Sequence, residues 1–296
     1  MGRGLGRRRL CIILARARGS AARRRCRASA AGPPRCPLPL PRLSVPRLSA
    51  SAWLLGAALL GAGPAAADPG GWQRTLDAYA RPAGVDYARV AQDKPLDAHL
   101  AALARTPPPA DRAGAMAYWI NAYNALTVDL IADHWPLGSI RELDGGQPWK
   151  RRRFEVGGRS VTLDEIEHQI LRPLGDPRVH AALNCASRGC PPLRPRAMSA
   201  AGLEAELDAA ARAWVQGGGA VYDPASKTLR LSSIFDWFAE DFAVGPAASV
   251  PGLRPREAAL AAWVARYSPP AQAAALRAGG YRVEFLPYDW SVNRAP

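Results

Sequence analysis

Between residues 112 and 134 the large apolar side chains Met116, Ile120, Tyr123, Leu126 and Leu130 recur at steps of three and four, and Pro136 ends the run. That period is one face of a helix, so the longest helix of the chain is predicted here. Shorter helical runs, 71–80 and 96–104, lie either side of an Arg81-Pro82-Ala83-Gly84 turn, and Pro107-Pro108-Pro109 closes the segment. Residues 154–161 read as two short strands about Gly157-Gly158, a two-residue hairpin turn. Thr162-Leu163-Asp164-Glu165 then has capping-box spacing and predicts a helix running to Leu171 before Pro173. Residues 179–185 form a short apolar run suited to a buried strand, with alanines that leave a helix open, and 187–192 must be loop.

Further on, Leu203, Leu207, Ala210 and Trp214 mark an amphipathic helix over 202–216, ended by three glycines. A second hairpin is expected from Val221-Tyr222 and 228–231, then helices over 234–242 and 255–267, and a late strand over 281–286. Helices outnumber strands, and the strands come as hairpins. The expected class is α+β: a mainly helical single domain with a small antiparallel sheet built from hairpins.

Charge changes this picture. The 296 residues carry a formal +14, which suggests a partner such as nucleic acid or anionic lipid. Yet every ionisable residue before Asp68 is arginine, thirteen in all, and subtracting them leaves +1 on residues 68–296. The basic footprint of a nucleic-acid binder is missing there. Residues 45–67 read as a signal peptide: Arg47, an apolar stretch with Trp53, Leu54, Leu55, Leu59 and Leu60, and a small-residue end at Ala65-Ala66-Ala67. Cleavage is expected near Ala67, giving a periplasmic or secreted domain over 68–296. The apolar stretch is short of the roughly 20 residues a spanning helix needs, so no transmembrane anchor is expected after cleavage. Residues 1–44, rich in Arg, Ala and Pro, are read as untranslated or disordered, with Val45 as the alternative start.

Past Ala67 only Cys185 and Cys190 remain, too few for a disulfide scaffold. Around them, within roughly twenty-five residues, stand Glu165, Glu167, His168, His180, Asn184, Ser187 and Arg188. Three readings compete. In the first, Cys185 is a nucleophile, His168 or His180 takes its proton, and Glu165 or an asparagine orients the imidazole, as in a hydrolase or acyl transferase acting on an amide or ester. In the second, the two cysteines form a disulfide closing a four-residue loop in a non-enzymatic binding or envelope-structural domain. In the third, His168, His180, Cys185 and Cys190 hold zinc, although the spacing fits no common zinc pattern. Otherwise no cofactor is expected.

Asn121 and Asn124 share a face of the long helix and join Asn184, Ser187 and Arg188 as candidate substrate contacts, with satisfaction of neighbouring backbone as the competing role. The partner expected is a small molecule or an envelope polymer. Trp119, Trp214, Trp237, Trp263 and Trp290 are expected as core anchors, and the run Lys150-Arg151-Arg152-Arg153 as a solvated loop face. There is no glycine-rich phosphate loop, dinucleotide fingerprint or paired-histidine zinc helix, which removes nucleotide and zincin chemistry.

Four segments also resemble a known family: 118–127, Asp164-Glu165-Ile166-Glu167-His168 with Leu171-Arg172, 180–185 with Ser187, Gly189, Cys190 and Pro191, and Asp236-Trp237-Phe238 with Asp241-Phe242. With Tyr288-Asp289-Trp290-Ser291-Val292-Asn293 near the end, they are similar to the family called domain of unknown function 547. The likeness spans about 117–293. It implies no activity and supplies no catalytic residue.

Overall fold

The computed structural model describes residues 69–243 and 249–296, so the leader and signal segment expected over 1–67 lie outside the described residues. The long central helix forms as its periodicity requires, over Arg112–Asp133. Asp111 caps it, its side chain accepting the Gly114 N–H at 2.8 Å. Most of its length is buried, Met116, Ile120 and Ile131 completely.

In chain order the elements before it are α1 (Pro69–Tyr79), β1 (Ala80–Arg81), β2 (Gly84–Val85), α2 (Tyr87–Asp93) and α3 (Asp97–Leu103), with the central helix as α4. The predicted 81–84 turn is a minimal hairpin, β1 pairing antiparallel with β2. After α4 come α5 (Pro148–Arg151) and the hairpin β3 (Arg153–Val156) and β4 (Arg159–Thr162), in which Gly157 and Gly158 take positive φ as the turn demands.

The capping box is present. Thr162 Oγ1 accepts the Glu165 N–H at 3.0 Å, and a Glu165 carboxylate oxygen accepts the Thr162 N–H at 2.8 Å. It opens α6 (Leu163–Glu165), whose continuation over Ile166–Leu171 is wound as a wide π turn before Arg172–Leu174 tightens and ends it. Such turns are rare and recur at functional sites.

The strand expected over 179–185 does not form. Val179–Ala182 is a single helical turn, α7, and the chain becomes extended only at Leu183. The turn closes its backbone bonds locally, as burial requires: Val179, His180 and Ala181 N–H donate to the carbonyls of Asp176, Pro177 and Arg178, and Leu183 N–H to that of Val179.

The rest follows as α8 (Leu203–Trp214), β5 (Ala220–Asp223), β6 (Thr228–Leu231), α9 (Ser233–Trp237), α10 (Pro255–Tyr267), α11 (Pro270–Ala278) and β7 (Arg282–Phe285). The helix expected over 234–242 stops at Trp237, and one further turn forms over Asp241–Ala243. β5 and β6 make the second hairpin, and β7 joins β6 in parallel, so the late strand completes a three-stranded sheet. The protein is a mainly helical α+β fold with small, largely antiparallel sheets. No helix among the described residues is long and apolar enough to cross a membrane.

The tail after β7 returns to the middle of the chain. Arg188 N–H donates to Ser291 O, Gly189 N–H to Asp289 O and Asn293 N–H to Ala186 O, at 2.8–3.0 Å. The loop carrying both cysteines is thereby clamped by residues about a hundred positions later. Three of the five tryptophans, Trp119, Trp214 and Trp263, are core anchors as expected, but Trp237 is 47% exposed. It stands at the end of α9 facing a cavity, where apolar surface has a different use.

Candidate functional site

The turn that follows the capping box decides which side chains face inward. Glu165 is spent on the box and on Arg153, whose guanidinium lies 3.2 Å from its carboxylate. That backbone bond is the chief reason its carboxyl is held below the usual range. Its neighbours Glu167 and His168 instead line a cavity of about 230 Å³. The other walls come from Tyr123 of α4, Trp149 and Lys150 of α5, His180 of α7, the two cysteines, Trp237 and Phe238 after α9, and Tyr288 and Trp290 of the tail.

His180 is almost wholly buried. Its Nε2 lies 2.7 Å from an Asp241 carboxylate oxygen, and its ring stacks on Phe238 at 4.3 Å. Asp241 also receives two bonds from Arg172, at 2.6 and 2.9 Å. Burial alone would raise the Asp241 carboxyl, but the bonds from His180 and Arg172 outweigh it and hold the carboxyl well below the usual range. A carboxylate only accepts, so Nε2 of His180 carries the hydrogen and Nδ1 keeps a lone pair. Burial lowers the His180 pKa, consistent with a neutral ring.

That lone pair faces Glu167, whose carboxylate oxygen is 3.9 Å from Nδ1. Tyr123 Oη contacts the other oxygen at 3.4 Å. The Glu167 carboxyl is pushed up to about 7, first by burial and then by Asp164 and Asp241, against the opposing pull of Arg172 and Tyr123. Near neutral pH it exists in both protonation states, which is the property a proton donor or acceptor needs. His168 is the outer imidazole. Arg172 donates to its Nδ1 at 3.2 Å, which leaves Nε2–H directed at Asp164, 3.5 Å away.

The sulfurs form the opposite feature. Cys185 and Cys190 are joined in a disulfide with their Cα atoms 6.1 Å apart. Tyr288 Oη is 3.0 Å from Cys185 Sγ and 3.2 Å from Cys190 Sγ, Ser187 Oγ is 3.0 Å from Cys185 Sγ, and the Cys185 N–H donates to Cys190 Sγ at 2.9 Å. Among the described residues no imbidazole-to-sulfur bond is formed, so the nucleophile–base pairing expected of Cys185 with His168 or His180 is not assembled in this disulfide state. The zinc set His168, His180, Cys185 and Cys190 is not gathered either, since the sulfurs bond to one another and the imidazoles face Asp241, Arg172 and Asp164.

The asparagines build the loop. Asn121 bonds both backbone groups of Met198, and Asn124 accepts the Asn184 N–H while donating to Ala182 O. Asn184 in turn donates to Pro191 O and accepts from Ala186 N–H and from Asn293. These bonds hold Ala186 at φ 61°, a left-handed conformation that costs free energy for a residue with a side chain. Ser187 is buried against Tyr288 at 2.7 Å, and Arg188 is exposed toward neighbouring clefts rather than this cavity. Gly189 has a role of its own: a Cβ there would lie 2.8 Å from the Tyr288 ring, so only glycine lets that ring close on the loop.

Sequence reasoning passed over Asp241, Arg172, Tyr123, Tyr288 and Trp237 as site residues. Each sits inside a segment that carries the family resemblance, which is the signal that would have found them. No curated protein and no solved structure matches the chain. Asp241 and most of the aromatic wall lie beyond the family match, whereas residues 109–215, which hold Glu167, both pocket imidazoles and the disulfide, match the family model described as Protein of unknown function, DUF547.

Proposed function

We propose that this domain works outside the cytoplasm as an acid–base enzyme, a hydrolase or transferase in which Glu167 donates the proton to a leaving group. The observation that carries the reading is Glu167 itself, a largely desolvated carboxyl poised near neutrality on the wall of a cavity, with a fixed lone pair of His180 beside it. Asp164, three residues earlier and in the same wall, supplies the second carboxyl that such chemistry uses as base or electrostatic partner. Arg172 and Asp241 are positioning residues, holding His180 in one tautomer.

Trp149, Trp237, Trp290 and Tyr288 give the ligand a flat apolar surface, and Gln147, Lys150 and Asp164 a polar rim. That combination suits a polar molecule with a ring or other flat face, free or as the end of an envelope polymer, from which an acyl or glycosyl group is cleaved or transferred. A disulfide fits an oxidising compartment, which agrees with the signal peptide expected before Asp68.

A second reading rests on the same disulfide and aromatic wall: a binding domain with no chemistry. The full chain, screened against small esters, amides and glycosides, separates the two. Glu167→Gln is expected to lower kcat at least about 100-fold with ligand affinity retained, and the wild-type rate should fall as pH rises through about 7. A ligand bound equally by both forms and released unchanged would leave the binding domain.

A further inference from the structure

The contacts around the sulfurs suit a reaction that the acid–base reading does not use. The disulfide is not enclosed in the core: both cysteines line the cavity, and Cys190 also lines two neighbouring clefts. A disulfide sulfur carries no hydrogen, so any hydrogen bond to it is donated by its neighbour. Two donors reach the sulfurs, and Ser187 supports the second by donating to the Tyr288 oxygen. The Cys185 N–H points at Cys190 Sγ, the Tyr288 hydroxyl reaches both sulfurs, and Ser187 Oγ lies against Cys185 Sγ and Tyr288. Donors aimed at sulfur favour thiolate over thiol, and a more stable leaving thiolate speeds disulfide exchange.

We propose that Cys185–Cys190 is a working redox couple that accepts two electrons from a dithiol entering the cavity. The thiolate of the dithiol attacks Cys185 Sγ, the Cys185–Cys190 bond breaks, and Cys190 leaves as a thiolate held by the Cys185 N–H and the Tyr288 hydroxyl. The second thiol of the dithiol, once deprotonated, attacks the mixed disulfide and frees Cys185. The dithiol ends as a disulfide, and the two cysteines take up the two protons it has lost. Burial raises the Tyr288 pKa, so its phenol keeps its proton throughout, accepting from Ser187 and donating toward the sulfurs. The Asn184–Asn124 and Asn293 bonds hold the loop in place as the sulfurs part.

The test uses the full chain and dithiothreitol as the dithiol, at neutral pH and without denaturant. Alkylation read by mass spectrometry on the two peptides carrying Cys185 and Cys190 reports reduction separately from Cys11, Cys26 and Cys36. Complete reduction of the folded protein is expected at millimolar dithiol. Tyr288→Phe and, independently, Ser187→Ala should slow it about three- to tenfold, and Cys190→Ser, which leaves Cys185 as a free thiol, should form a mixed disulfide on Cys185 with oxidised glutathione, releasing one glutathione thiol. The readout is thiol alkylation with no ester, amide or glycoside present, which keeps this outcome distinct from that of the acid–base site. A disulfide that resists until the protein is denatured, rates unaltered in both hydroxyl variants, or no adduct on Cys185 overturns the proposal.

Discussion

Two partly buried carboxyl groups of this protein are both pushed upward, and of the two only Glu167 lines the cavity. Asp129, near the C-terminal end of α4, is raised to about 6 by burial and by Asp133 and Asp97, with Lys94 opposing. Glu167, which meets the same helix at Tyr123, is raised to about 7 by burial and by Asp164 and Asp241. The causes are alike and the surroundings are not. Lys94 pairs with Asp133 at 2.5 Å beside Asp129, so that region is a surface ion pair over a buried neighbour. Glu167 faces a cavity, an imidazole lone pair and an aromatic wall. A perturbed pKa therefore marks desolvation; the cavity and an oriented partner are what make it useful.

The comparison can be broken most sharply at Asp241, which has no equivalent beside Asp129. Asp241→Ala leaves the buried Nε2–H of His180 without an acceptor and Arg172 with only Glu240 and His168. A loss of about 3 kcal/mol in denaturant unfolding is expected, and a loss below about 1 kcal/mol would mean the His180–Asp241–Arg172 chain is not the scaffold of the site.

Next in size is the pH dependence of stability. A carboxyl raised in the folded state binds its proton more tightly there, so its ionisation opposes folding progressively as pH rises between the unfolded and folded values. For Glu167 that window runs from 4.5 to about 7. Between its two ends the wild type should lose about 2 kcal/mol more than Glu167→Gln. Parallel profiles would show that Glu167 is not desolvated.

Asp129→Asn should show the same sign over 3.8 to about 6, with a slightly smaller amplitude because the window is narrower. Ligand affinity should not change. If it did, the two carboxyls would share a function and the distinction drawn from their surroundings would fail.

Much of the fold was legible because local physics sets it. Met116, Ile120, Tyr123 and Leu130 mark one face whatever surrounds them, Gly157-Gly158 admits a two-residue turn, and Thr162 with Glu165 caps a helix from side chains three residues apart. The same locality misled the reading of Glu165. A residue three positions after Thr162 is available to the cap, and the cap uses both the carboxylate and the direction it would need to enter the cavity. Residues 179–185 were ambiguous because a short, alanine-rich apolar run suits either element, and the fold makes a turn of helix of Val179–Ala182.

By itself the sequence determined the class of fold, the long central helix and the hairpins, the near-neutral charge of residues 68–296 and the neighbourhood of the polar cluster. Tertiary structure alone decided that Glu167 rather than Glu165 turns inward, that His180 faces Asp241 sixty-one residues away, that Tyr288 touches sulfurs a hundred residues earlier, and that Trp237 lines a cavity. Periodicity and capping act over one or two turns of chain and are written in adjacent residues. Burial, desolvation and pairing across the fold depend on which distant segments share a space, and no local pattern carries that information.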